Sequence, residues 1–198
     1  MAVKPGKPPK IEHQILLVAD ARAWRTWLDE NEYVVDGVWL LLAKKGMPAP
    51  TTLTYAEALD EALCSGWIDG QARKHDEAMY RQRFTPRRAR SLWSLRNTKH
   101  IARLESEGRM RERGRAEVER AKADGRWERA YEGAAKIQVP DDLAAVLKDN
   151  PKAAKAFAAL KGQNRSAVLQ RVVTASTPAT RKRRIDTLVE RLNAGETP

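Results

Sequence analysis

One stretch of this sequence has no acidic residue, and we expect the fold to place the positive charge of that stretch at a surface. Between Ala78 and Leu104 there are eight Arg and Lys side chains and no Asp or Glu. From Gln71 to Arg115 there are 14 basic and 5 acidic residues, so this window holds +9 of the net charge of +11. Charges at this density repel each other, and an anionic partner relieves the repulsion. The sequence therefore predicts a surface that binds an anion.

Composition limits the class of protein. With 198 residues, 42% of them hydrophobic, and six tryptophans, the chain has enough apolar material for one buried core with a smaller appended module. No apolar run approaches the roughly 20 residues of a membrane-spanning helix, and Met1 to Lys10 lack the apolar core of a secretory signal. We expect a cytoplasmic protein that does not insert into membranes. The single cysteine and three histidines show no metal-ligand spacing, so we predict neither a metal nor a cofactor.

The N-terminal half predicts both helices and strands. Residues 1–14 are basic and rich in proline, which is typical of a flexible arm. Asp20 is placed to cap a first helix, and the apolar run at residues 37–43 predicts a buried strand. Thr54 and Glu57 form the pattern of a capping box and predict a second helix.

A hairpin is predicted after the second helix. Residues 67–73 and 79–84 read as two strands, and alternation along the second places Arg81 and Arg83 on the same side. A helix is then expected from about Ser91 to Leu104.

We therefore predict an α+β fold, with a small antiparallel sheet packed with helices over residues 15–135. An all-helical module follows over residues 136–198. In that module Asn150-Pro151 and Thr177-Pro178 are typical of helix starts.

Several phrases of the sequence resemble the bacterial YdeI/OmpD-associated family. In the C-terminal stretch they run from Pro140-Asp-Asp-Leu143 through Phe157 to Thr180-Arg181 and Arg184-Ile185. In the N-terminal part they are Gly37-Val-Trp-Leu40, Glu61-Ala-Leu-Cys-Ser-Gly-Trp-Ile-Asp-Gly70, Phe84-Thr-Pro-Arg87, Ser91-Leu-Trp-Ser94 with Asn97, and Gly125-Arg-Trp127 with Tyr131.

This resemblance implies protection against bacteriocins or cationic antimicrobial peptides and a link to an outer-membrane porin. It supplies no catalytic residues. Because the chain is itself cationic, we expect any protective role to be indirect rather than the capture of cationic peptides.

The basic window supplies the candidate binding residues. They would contact phosphates without reading a sequence, with an affinity that falls as salt rises. The alternative is an ordinary solvated surface whose arginines pair with carboxylates such as Asp60 and Glu61. The candidates are Arg81, Arg83, Arg87, Arg88, Arg90, Arg96, Lys99 and Arg103.

A second candidate is a small pocket built around the Gly66-Trp-Ile-Asp69-Gly70 phrase, because glycines on both sides of Trp and Asp permit a bulge or close backbone approach. Its residues would be Trp39, Trp67, Asp69 and Trp93. The alternatives are that the tryptophans belong to the core and that Asp69 pairs with Arg83 across the hairpin.

The function that the sequence favours is a non-catalytic cytoplasmic protein whose basic surface binds nucleic acid or another phosphate-rich partner, in a stress or antimicrobial-resistance response. Two alternatives stay open. One is a small-anion-binding protein or enzyme that uses the Trp, Asp and Arg pocket, and the other is an adaptor for an acidic protein. No nucleophile elbow, phosphate loop or metal cluster occurs in the sequence, which favours a protein without catalysis.

Overall fold

A computed structural model describes residues 14–132 and 137–196, apart from the side chain of Gln163. The described residues form two compact units. The first unit consists of the described residues within Met1–Arg90 and Arg103–Glu119. The second consists of those within Ser91–Ala102 and Arg120–Pro198. Residues 1–13 of the predicted arm lie outside the described residues. The domain boundary expected between residues 135 and 136 stays a prediction.

The fold is α+β, as the sequence predicts. Its strands are β1 Ile15–Leu16, β2 Val38–Ala43, β3 Trp67–Lys74 and β4 Met79–Pro86. Its helices are α1 Ala21–Asn31, α2 Tyr55–Cys64, α3 Leu95–Ser106, α4 Glu112–Ala123, α5 Asp141–Lys148, α6 Pro151–Ala159, α7 Gly162–Val173 and α8 Pro178–Asn193.

The sheet contains the predicted hairpin and one strand that the sequence pattern does not predict. In the described residues the strand order is β1-β2-β4-β3, with β4 antiparallel to both β2 and β3. The additional strand, β1, runs parallel to β2 at the sheet edge. With only two residues, β1 is too short to show the alternation by which strands are recognised.

Local capping signals place the helices where they are expected. The carboxylate of Asp20 accepts a hydrogen bond from the Ala23 amide at 2.8 Å and begins α1. Thr54 and Glu57 form both bonds of a capping box at the start of α2. Thr177 accepts from the Thr180 amide at 3.1 Å and begins α8. Each cap satisfies a backbone donor that the first turn of a helix leaves free.

An aromatic cluster joins α1 to one face of the sheet. Trp24 stacks on Trp27 at 5.3 Å between ring centroids and lies 5.6 Å from Phe84 of β4. Trp27 also meets Trp67 of β3 edge-on at 5.9 Å. The indole of Trp24 donates to the carbonyl of Ala58 in α2. One face of the sheet is therefore the core of the first unit.

Helix α3 begins four residues later than the sequence pattern predicts. Ser94 forms a parallel bridge with Tyr131, whose amide donates to the Trp93 carbonyl and whose carbonyl accepts from the Leu95 amide. This pairing holds Trp93 and Ser94 against Tyr131 outside the helix, and the Ser94 hydroxyl then accepts from the Asn97 amide. A contact with a distant segment thus overrides the local helical pattern.

The C-terminal module is helical, as predicted. Within residues 137–196 the helices α5 to α8 enclose a core that includes Leu143, Phe157, Leu169, Val172 and Ile185. None of the described helices combines the length and apolar character needed to cross a membrane.

A buried carboxylate fixes the segment after α3 to helix α2. Glu61, with 10% of its side chain exposed, receives Arg109 on one oxygen at 2.7 Å and Arg111 on the other at 2.6 Å. Nearby, Asp60 pairs with Arg103 at 2.6 Å. The segment comes so close that a Cβ atom at Gly114 would lie 2.2 Å from the Cys64 carbonyl oxygen. Only glycine fits this backbone contact.

We expect Glu61→Ala to lower the free energy of unfolding by about 3–5 kcal/mol, because it leaves two guanidinium groups without their buried carboxylate. Urea denaturation followed by tryptophan fluorescence measures the loss. Glu107→Ala is the matched control, since this exposed carboxylate also pairs with Arg103 and Arg109. We expect the control to lose far less, and equal losses would contradict the structural role given to Glu61.

Candidate anion-binding site

The second face of the sheet carries the two predicted arginines of β4. Register pairs Trp39 with Arg83 and Leu41 with Arg81 between β2 and β4, and Arg73 with Arg81 between β3 and β4. Cross-strand partners project from the same face. Gln82 and Phe84, which alternate with these arginines, are buried in the core. We call the group of Trp39, Arg73, Arg81 and Arg83 the arginine face.

Trp39 orients two of these arginines. The guanidinium carbons of Arg73 and Arg81 lie 5.0 and 5.3 Å from the centroid of its ring. Both distances are within the range of cation–π attraction. The indole is 8% exposed, so it serves here as the support under the arginines.

The charge of Arg73 and Arg81 has no counter-charge in the described residues. Arg73 makes one side-chain hydrogen bond, to the Gln71 amide oxygen at 3.4 Å, and neither arginine forms an ion pair there. Like charges directly opposite each other on a sheet repel. The arginine face therefore holds two adjacent cations whose repulsion an external anion would relieve.

Among the predicted basic residues, Arg103 pairs with carboxylates of the protein itself, which is the alternative to binding an external anion. It pairs with Asp60 and with Glu107 at 2.9 Å, and the hydrogen bonds that it donates to Asp60 and then to Glu107 raise the pKa of its guanidinium. Two carboxylates thus already compensate its charge. Arg96 and Lys99 of α3 are exposed and belong to the second unit.

The connection after β4 contains the three other predicted arginines. Arg87 is only 5% exposed, and its backbone amide donates to the Gly66 carbonyl at 2.9 Å. Arg87 is therefore an interior residue that a large polyanion would not reach in this conformation. Arg88 and Arg90 are exposed.

Two tryptophans of the predicted Trp and Asp pocket, Trp39 and Trp67, lie on opposite faces of the sheet. Trp67 is fully buried against Trp27 on the helix-covered face, whereas Trp39 projects from the other face. Trp93 is 2% exposed and packs on Trp127 in the second unit. Neither Trp67 nor Trp93 presents a ring to a ligand.

Asp69 has a structural partner that differs from the predicted one. Its carboxylate accepts a hydrogen bond from the Tyr55 hydroxyl at 2.8 Å. Because its cross-strand partner is Phe84, Asp69 projects toward the helices and Arg83 projects away from them. No ion pair joins the two in the described part of the chain, so the expectation of an Asp69–Arg83 pair is wrong. The predicted bulge is present, as a register shift between Asp69 and Ala72.

Arg73 is the residue of the arginine face that sequence reasoning missed. It lies opposite Arg81 only because the hairpin register places it there. The turn residue Asp76 fixes that register, since its carboxylate accepts from the amides of Ala78 at 2.8 Å and Met79 at 2.7 Å. These hydrogen bonds, that of Met79 first, lower the pKa of Asp76.

Cys64 is buried at the end of α2 and is not poised for nucleophilic chemistry. Burial, followed by the nearby charge of Glu61, raises the pKa of its thiol to about 11. A thiol with this pKa is protonated at neutral pH, and the thiolate is the reactive form. In the described residues, no three His, Cys, Asp or Glu side chains converge into a group able to hold a metal ion.

Comparison with protein families divides the chain in two. Residues 16–117 match the model of a domain of unknown function, DUF8412. Residues 136–195 match the family described as "Bacteriocin-protection, YdeI or OmpD-Associated", which confirms the resemblance seen in the sequence for that part. Searches of curated proteins and of solved structures find no match.

We expect Cys64 to react with the thiol reagent DTNB at pH 8 at least about a hundredfold more slowly in the native protein than in urea. Burial raises the pKa of this thiol from 9.0 to about 11, and this change alone lowers its thiolate fraction at pH 8 by about a hundredfold. Absorbance of the released thionitrobenzoate measures both rates. Similar rates in the two states would show that the thiol is accessible and ionised in the fold.

Proposed function

We propose that this protein, a member of the DUF8412 family, is non-catalytic and binds nucleic acid or another phosphate-rich polyanion on its arginine face. Its C-terminal module is one of the YdeI/OmpD-associated family. Neither family description names a reaction or a ligand for this chain. The observation that carries the proposal is the pair of opposed arginines, Arg73 and Arg81, over the Trp39 ring without an ion-pair partner in the described residues.

Electrostatics favours an external anion at this position. Two buried carboxylates of the first unit are already engaged by other arginines: Glu61 holds Arg109 and Arg111, and Asp60 holds Arg103. Arg73 and Arg81 repel each other, so a phosphate between them gains two attractions and removes one repulsion.

The shape of the guanidinium group favours phosphate. Its planar fork offers parallel N–H donors that match two oxygens of one phosphate. Arg83 lies one residue pair further along the same face and would add a third contact. Three arginines along neighbouring strands suit a polymer with repeated phosphates.

Phosphate contact, rather than base stacking, would supply the affinity. Stacking needs an aromatic surface that a base can cover, and the arginines already occupy the Trp39 ring. Binding of this kind is independent of base sequence and weakens steeply with salt.

The family description suggests a biological setting for this binding. The YdeI/OmpD-associated family is described as one of bacteriocin protection. With a net charge of +11, this chain would repel cationic peptides, so the proposal is an indirect role in resistance through an anionic cytoplasmic partner.

We expect Arg73→Gln/Arg81→Gln to weaken binding of a fluorescein-labelled, mixed-sequence single strand at low salt. Fluorescence anisotropy measures affinity across a salt series. Three phosphate contacts give a slope of about −2 for log affinity against log salt, and loss of two reduces it to about −0.7. A labelled duplex measured in parallel shows which form of nucleic acid the face prefers.

Arg22→Gln/Arg25→Gln is the matched control, because it removes the same charge from the exposed side of α1. Circular dichroism verifies that both variants fold. We expect the control to keep the wild-type slope. The proposal is overturned if folded wild-type protein does not bind at low salt, or if both double variants lose affinity equally, since net charge alone would then explain the effect.

A further inference from the structure

A second basic site lies in the C-terminal module, far along the chain from the residues of the arginine face. A groove of about 310 Å³ opens between α7 and α8. Apolar side chains from both helices line it, together with four arginines and one threonine. The lining residues are Ala167, Val168, Arg171, Val172, Arg183, Arg184, Thr187, Leu188 and Arg191.

Helical spacing explains why these residues share one groove. On α8, positions 184, 188 and 191 fall on one face, and on α7 positions 168, 171 and 172 do the same. Arg184 is fixed in place because its guanidinium donates to the Arg171 carbonyl at 2.6 Å. Leu188 and Val172 are nearly buried and form an apolar floor.

In the basic cluster at residues 181–184, two side chains pair with carboxylates and the other two line the groove. Arg181 is held by Asp142 at 2.5 Å, and Lys182 pairs with Asp186 at 2.9 Å. Arg183 and Arg184 line the groove instead. The groove therefore takes two basic residues from this cluster and one more, Arg171, from α7.

The rim of the groove already holds one carboxylate. Arg191 pairs with Glu196 at 3.0 Å. Arg171 and Arg183 are exposed, and neither side chain has an ion pair among the described residues. The rim can thus engage further anionic oxygens through two guanidinium forks.

We propose that this groove binds a small organic anion, with a phosphate or carboxylate head at the arginines and an apolar body on the floor formed by Val168, Val172 and Leu188. Its volume is near the lower end of small-molecule pockets. Arginine forks recognise either head by paired hydrogen bonds. The lining contains no aromatic ring, so an aliphatic body suits the floor better than a stacked base. The inference is independent of the function proposed for the arginine face.

The test is isothermal titration calorimetry of the full chain with four probes. They are hexyl phosphate, hexanoate, inorganic phosphate and hexanol. We expect hexyl phosphate or hexanoate to bind at least about tenfold more tightly than inorganic phosphate, because burial of about two methylene groups already exceeds a tenfold gain. The tighter of the two identifies the head group. Hexanol, which lacks the charge, should not bind measurably.

Arg171→Ala/Arg183→Ala removes the two exposed rim arginines, and we expect it to weaken the tighter probe at least about tenfold. Lys152→Ala/Lys155→Ala is the matched control, since these exposed lysines lie on α6 of the same module, and it should bind as wild type does. Arg73→Gln/Arg81→Gln should also retain binding, which separates this site from the arginine face. No binding of either hexyl probe, or equal loss in the rim and lysine variants, overturns the inference.

Discussion

The contact of Arg109 and Arg111 with the buried carboxylate of Glu61 is the constraint on which the first unit depends. It brings the segment after α3 onto helix α2, where Gly114 meets the Cys64 carbonyl too closely for any side chain. A buried carboxylate is tolerated only with such partners, because its desolvation would otherwise cost several kcal/mol. Folding of the sheet and positioning of the basic segment are therefore linked.

Contacts between arginines and buried carboxylates also limit which positive charges a ligand can reach. Arg103, Arg109 and Arg111 satisfy carboxylates inside the fold, and Arg87 is buried. Arg73 and Arg81 are placed on Trp39 instead, without an ion pair in the described residues. In the C-terminal module the same division separates Arg181, which holds Asp142, from Arg183 at the groove. Net charge alone does not distinguish these roles.

Elements with strong local chemistry were predictable. The caps at Asp20 and Thr54, the buried strand β2 and the β3–β4 hairpin all follow from residues close together in the chain. Strand β1 was missed because two residues carry no period, and the start of α3 was placed too early because Tyr131 pairs with Ser94. Of the candidate site, Arg81 and Arg83 were placed on one face correctly, whereas Arg73 required the register.

The sequence by itself determined the fold class, the concentration of basic residues and the alternation along β4, because each depends on composition or on spacing within one element. Only the tertiary structure decided which arginine meets a carboxylate, which lies on Trp39, and that Trp67 and Asp69 face away from it. Most of these pairs join residues about 40 positions apart in the chain. The spacing of residues within one helix or strand carries no information about which distant residues come into contact. A charge pattern thus shows where basic residues concentrate along the chain, and the packing of the core determines which of them a carboxylate already holds.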